Sequence, residues 1–165
     1  MSKIPDGSVN VSAAFQKRMI ELITNEETDD GECSNEEFAH RCGVSKNLIA
    51  SAVNYGIIPS VRSLMKIADY TKKSIEYVLG LSDDPAFEPA VPPSTFQIRL
   101  AELMNSKGME NADIANNPIT TFSRNSIFLW LKRNNIPSLD FVLQLAKIFD
   151  VSPDYLLGRT DYLHN

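Results

Sequence analysis

Asn47, Ser51 and Asn54 stand four and three residues apart, with Ser45, Lys46 and Ala50 among them. At 100° per residue, Asn47, Ala50, Ser51 and Asn54 share one face of a helix, and Ile49, Ala52 and Val53 fall opposite. An amide donates and accepts at once, so an Asn on an exposed helix can pair with adenine through two hydrogen bonds in a major groove. The chemistry these residue types suit is recognition, not bond making. His40 and His164 are the only histidines, and neither has the neighbours of a metal site or of a nucleophile–base pair. Cys33 and Cys42 form no C-x-x-C pair and read as reduced structural thiols. With no acid–base pair, phosphate loop or metal cluster in view, an enzyme, a metal and a cofactor are not expected.

The elements that must position this face are legible on either side. Asn35 to Asn54, NEEFAHRCGVSKNLIASAVN, reads as a helix, a tight turn and a second helix. Ser34 starts the first, and Glu37 three residues on completes the pattern of a capping box. Ala39 is small where crossing helices touch, Gly43 suits a turn with positive φ, and Ser45 caps the second helix. An ordinary helical hairpin has the same pattern, so the motif alone leaves both readings open. Before it, Ser12 caps a helix carrying Phe15, Met19, Leu22 and Ile23, and Thr24 to Cys33 is an acidic loop. After it, Pro59-Ser60 opens a helix with Val61, Leu64, Ile67 and Ala68, and Ser74 caps a short last one ending in Tyr77-Val78-Leu79-Gly80. Residues 1–11 read as a disordered tail. Leu81 to Ser94, with Pro85, Pro89, Pro92 and Pro93, reads as an extended linker.

The pattern then returns. Phe15-Gln16-x-Arg18-x-x-Glu21-Leu22 recurs as Phe96-Gln97-x-Arg99-x-x-Glu102-Leu103, and Asn35-x-x-x-Ala39 as Asn111-x-x-x-Ala115. Ser45-Lys46-Asn47-x-Ile49 recurs as Ser123-Arg124-Asn125-x-Ile127, Pro59-Ser60 as Pro137-Ser138, and Tyr77-x-Leu79-Gly80 as Tyr155-x-Leu157-Gly158. The chain is an internal duplication. Its second copy has two extra residues in the turn, with Pro118 ending the helix before it, and presents Asn125, Phe128, Leu129 and Lys132 on the outward face. Phe128 and Leu129 there suit thymine methyls or a protein partner, and Trp130 falls on the core side with Ile127.

Net charge is −5, but the 21 acids are unevenly spread. None lies between Phe38 and Ala68, where Arg41, Lys46, Arg62 and Lys66 occur, or between Ile114 and Leu139, where Arg124, Lys132 and Arg133 occur. Both windows contain the second helix of the motif, which suits a polyanionic partner. No apolar run reaches the ~20 residues of a membrane span, and the N-terminus lacks the apolar core of a signal peptide. A cytoplasmic protein, at the nucleoid, is expected.

Phe38-Ala39, Gly43-Val44-Ser45, Ile49, Pro59, Leu64-x-x-Ile67-Ala68 and Tyr77-Val78-Leu79-Gly80 resemble the lambda-repressor-like, or XRE-type, helix-turn-helix family. Ile114-Ala115, Ser123, Ile127, Trp130, Pro137, Leu145-Ala146 and Asp150-Val151-Ser152-Pro153-Asp154-Tyr155-Leu156-Leu157-Gly158 carry the same resemblance. It implies an all-α protein of two small five-helix domains, 12–81 and 95–160, with a Pro-rich linker at 82–94 and a tail at 161–165. It implies a sequence-specific regulator of bacterial or phage type, a repressor, whose partner is double-stranded DNA, with a second copy of itself or RNA polymerase as further partners. Ser34, Asn35, Ser60, Asn111 and Ser138 would hold phosphates. Asn47, Ala50, Ser51, Asn54, Asn125, Phe128 and Lys132 would face bases, with Ser45, Lys46, Ser123, Arg124 and Arg133 beside them. The family commonly has Gln where Asn35 and Asn111 stand. The 14-residue linker, at ~3.1 Å per residue, would span about 40 Å, enough for half-sites one turn apart. The alternative is an adaptor or antirepressor that keeps the fold with weak or no DNA binding.

Overall fold

The computed structural model describes residues 11–164. Among them are ten α-helices and no strand beyond one isolated antiparallel bridge, Val11 to Ile57. None of these helices is long and apolar enough to cross a membrane. The chain divides into two compact units, Met1–Ala86 and Phe87–Asn165. The tail expected at 1–11 lies outside the described residues except for Val11.

The first unit holds α1 (Ala13–Thr24), α2 (Asn35–Cys42), α3 (Lys46–Tyr55), α4 (Val61–Thr71) and α5 (Ile75–Val78). Ser12, Ser34, Ser45, Ser60 and Ser74 each precede a helix in extended geometry, and each Oγ accepts the N–H three residues on, at 2.9–3.3 Å. Such a cap is worth ~1 kcal/mol and sets where the helix starts. The box expected of Ser34 and Glu37 is only half formed. Glu37 Oε1 accepts from Arg41 Nη2 at 2.9 Å, because a guanidinium one turn along is a stronger partner than a backbone amide.

The second unit holds α6 (Phe96–Lys107), α7 (Asn111–Ala115), α8 (Arg124–Lys132), α9 (Leu139–Phe149) and α10 (Pro153–Leu156). The duplication reaches the core side chain by side chain. Met19 and Leu100, Phe38 and Ile114, Ile49 and Ile127, Leu64 and Val142, Ile67 and Leu145, and Val78 and Leu156 are all 0% exposed. The longer turn between α7 and α8 ends its first helix before Pro118 and is braced from α9: Gln144 Nε2 donates to Thr121 Oγ1 at 2.8 Å and Gln144 Oε1 accepts from Thr121 N at 3.0 Å. Phe122 then turns inward against Trp130 and Phe141, ring centroids 4.9 and 5.3 Å away. Trp130 is core, 8% exposed.

Each unit is closed by an arginine from its first helix. Arg18 Nη1 donates to the carbonyls of Tyr77 and Ser82 at 2.6 and 3.1 Å, Nη2 to Asp83 at 2.9 Å, and the guanidinium lies 3.8 Å from the Tyr77 ring centre. Arg99 Nη2 donates to the Thr160 carbonyl at 3.1 Å and to Asp161 at 2.9 Å, over the Tyr155 ring at 4.1 Å. A buried charge is tolerated when carboxylate, carbonyl and π-face all compensate it. The clasp draws the end of the last helix onto the start of the first. At Gly80 an added Cβ would stand 2.6 Å from the Ala14 carbonyl oxygen, and at Gly158, 2.3 Å from the Ser94 carbonyl carbon.

Much of the stretch expected to be a linker is not free. Asp83 is held by Arg18. Phe87 lies under the Arg159 guanidinium at 4.5 Å, Ala90 N–H donates to the Arg159 carbonyl at 2.8 Å, and Thr160 Oγ1 donates to the Glu88 carbonyl at 2.8 Å. Ala90 is buried, and Arg159 itself forms a buried ion pair with Asp154. Residues 87–94 therefore pack as a strap on the second unit. The strap covers the buried Arg159, giving its guanidinium the Phe87 ring and its backbone carbonyl the Ala90 N–H.

These contacts predict an order of stability losses. Gly43→Ala places a side chain at φ 76° with nothing within 4 Å, and should cost only the ~1–2 kcal/mol of a left-handed residue. Gly80→Ala and Gly158→Ala meet backbone as well and should cost clearly more in urea unfolding. Three equal losses would show that the close approach does not matter.

Candidate nucleic-acid interface

The first unit gathers part of the expected face into one surface. Ser45, Asn47 and Ser51 of α3 and its cap meet Ser60 and Ser63 at the start of α4 across a shallow groove of about 330 Å³, floored by Leu48, Ile57 and Pro59. The placement is helical arithmetic: Ile49 and Ala52 are 0% exposed, so the positions between them turn outward. Asn47 and Asn54 are exposed, and Ala50 and Ser51 are half-buried. Neither α3 nor α4 carries an acid in its first turn. Ser45 and Ser60 each take one first-turn N–H, and the other amides of that turn, with the positive end of the helix dipole, favour an anion. Ser63 belongs to this groove and has no equivalent in the motif. Its counterpart in the second copy is Phe141, so the repeat itself concealed it.

Ser34 and Asn35 lie in different surroundings. The first turn of α2 carries Glu36 and Glu37, and Glu27, Asp29, Asp30 and Glu32 line a depression of about 260 Å³ with Ser34 and Arg41. That field opposes a phosphate. Asn111 is placed alike, between Glu110 and Asp113, whose carboxylate accepts the Glu110 N–H at 2.8 Å.

The window from 38 to 68 is free of acids along the chain but not in space. Arg41 Nη1 donates to Glu26 Oε1 and the Glu27 carbonyl, each at 3.0 Å, and Nη2 to Glu37 at 2.9 Å. These bonds push the Arg41 pKa up, and the Glu26 carboxylate raises that of Tyr70, whose hydroxyl donates to it. Arg41 therefore holds the acidic loop and offers little to a ligand. Lys66 Nζ donates to the Gly43 carbonyl at 3.4 Å and supports the turn. Lys46 is 63% exposed and stands 3.4 Å from Glu36, an exposed pair that exchanges partners easily.

In the second unit Ser123 caps α8, and Arg124, Asn125, Phe128, Lys132 and Arg133 are all exposed. Lys132 Nζ rests 5.1 Å above the Phe128 ring. Ser138 makes no cap bond through its side chain, and Asp140 sits in the first turn of α9. Where the first unit has Ser51 and Ser63, this unit has Leu129 and Phe141. The two faces differ in kind: hydroxyl and amide in one, cationic and apolar in the other.

Cys33 precedes α2 and Cys42 ends it, both reduced and buried. Burial pushes the Cys42 thiol up to about 12 and raises Cys33. The folded value lies above the ordinary 9.0, so this contribution to stability is complete below pH ~9 and is lost as pH climbs toward about 12. The urea midpoint should fall between pH 8.5 and 10.5, and native Cys42 should resist alkylation at pH 8, reacting far more slowly than in the unfolded chain. Fast labelling without unfolding would contradict the burial. No protein-family model, curated protein or solved structure matches this chain.

Proposed function

We propose that the chain is a sequence-specific double-stranded DNA-binding regulator of the lambda-repressor-like, XRE-type kind, acting as a repressor. One observation carries it: Ser45, Asn47, Ser51, Ser60 and Ser63 converge on one acid-free groove between α3 and the start of α4. In this reading Asn47, Ser51 and Asn54 meet base edges in the major groove, while Ser60, Ser63 and the first-turn amides of α4 hold a phosphate. Lys46 exchanges Glu36 for DNA. In the second unit Arg124, Asn125 and Lys132 meet DNA and Phe128 meets a thymine methyl, so the two halves of the site differ. Occupying an operator needs no catalysis; it blocks or recruits polymerase.

A second reading, an adaptor or antirepressor, is favoured by the acids around Ser34, Asn35 and Asn111 and by Phe128, which is 48% exposed. Selection of duplexes from a random library by the purified intact protein separates the two. The DNA reading expects an enriched sequence and a log–log salt slope of about −0.9 for each phosphate neutralised. No binding at ~50 mM salt, or binding without salt dependence, would leave the adaptor.

Two variants refine the test. Glu36→Gln removes the acid facing Lys46 and should tighten binding severalfold at low salt, whereas Lys46→Ala should weaken it for all sequences alike. Asn47→Ala should lose about 1–3 kcal/mol of discrimination at one base pair. Equal loss on every sequence would remove Asn47 from base recognition.

A further inference from the structure

The two glutamines shared by the copies, Gln16 and Gln97, both donate to backbone carbonyls near the end of the outward-facing helix, though not at matching positions of the repeat. Gln16 Nε2, from α1, donates to the Val53 carbonyl at 2.9 Å. Gln97 Nε2, from α6, donates to the Asn135 carbonyl at 2.6 Å and the Arg133 carbonyl at 3.4 Å, just past the end of α8. The last four carbonyls of a helix have no partner within it. At the end of α3, those of Ser51 and Ala52 are taken by Ile57 and Gly56 N–H, and Gln16 takes that of Val53. Ser12 N–H also donates to the Gly56 carbonyl at 2.9 Å, so the start of α1 is fastened to the end of α3. Val53 directly precedes Asn54 and follows Ser51 by two residues. Holding its carbonyl fixes the turn on which both stand.

We propose that Gln16 and Gln97 are positioning residues for sequence recognition, setting how α3 and α8 present their outward faces. This rests on the DNA reading above. α1 meets no base in that reading, so these side chains act through the helices they hold. A bidentate base contact depends on where its amide stands, whereas phosphate contacts carry no sequence information. Losing the tether should therefore lower discrimination and leave general affinity alone.

The test uses the intact chain, the duplex recovered by selection and an unrelated duplex of equal length. Gln16→Glu keeps shape, loses the donor and sets a carboxylate against the Val53 carbonyl. Gln16→Met keeps length and loses the donor without that repulsion, and decides the matter if Gln16→Glu fails to fold by circular dichroism. Both should lower the ratio of selected to unrelated affinity by about tenfold, the scale of one base contact, with unrelated affinity and salt slope unchanged. Gln97→Met should do the same at the other half of the site. A wild-type chain that prefers its duplex, beside Gln16 variants with an unaltered ratio or with equal losses on both duplexes, would overturn the positioning role alone. A wild-type chain with no preference for any duplex would overturn the DNA reading, and this proposal with it.

Discussion

The buried arginine of each first helix is the constraint on which both units depend. Arg18 and Arg99 are 7% and 8% exposed; Arg18 meets the carbonyls of Tyr77 and Ser82, the carboxylates of Glu21 and Asp83 and the Tyr77 face, and Arg99 meets the Thr160 carbonyl, the Asp161 carboxylate and the Tyr155 face. A guanidinium in that position needs its charge compensated, and although Arg99 Nε is buried with no hydrogen-bond partner, the bonds each arginine does make fix where the last short helix ends. Gly80 and Gly158 follow from it, because only a residue without Cβ lets the chain come so close to Ala14 and Ser94. Four-residue helices such as α5 and α10 have no intrinsic stability. They exist because Ser74 and Ser152 cap them, the core buries Ile75, Val78 and Leu156, and the arginine holds their tails.

With its ends closed, each unit turns one face of α3 or α8 outward. Gln16 and Gln97 come from the same helices as the arginines, two residues earlier. One side chain fastens the last helix, and the other fastens the end of the outward-facing helix. The first helix of each unit thus organises both the core and the candidate site. Its place in the repeat, Phe-Gln-x-Arg, pairs a core anchor with two tethers.

Charge follows the same logic of proximity. The first unit gathers Glu26, Glu27, Asp29, Asp30 and Glu32 in one loop, and Arg41 holds that loop down. The groove between α3 and α4 is left with hydroxyls, amides and helix N-termini, a surface that attracts anions through dipoles more than through net charge. The second unit answers with whole charges, Arg124, Lys132 and Arg133, and an exposed Phe128. A chain of net charge −5 can carry such local fields because a Debye length is only about 8 Å at physiological salt.

By itself the sequence determined the helices, most of the serine caps, the duplication and the apolar faces of the first copy. Serine before an apolar period, glycine in a turn and matched residues in two copies act over a few neighbours or repeat in register, so they can be read along the line. The inward side of Trp130 and the outward side of Asn47, Ser51 and Asn54 follow from the same arithmetic. The tertiary structure alone decided what distant residues do to each other. It gave Arg41 to Glu26, set acids around Ser34 and Asn35, brought Ser63 into the groove, and turned residues 87–94 from a spacer into a strap over Arg159. Electrostatics and hydrogen bonding act through space, and no periodicity records which residues folding will place side by side.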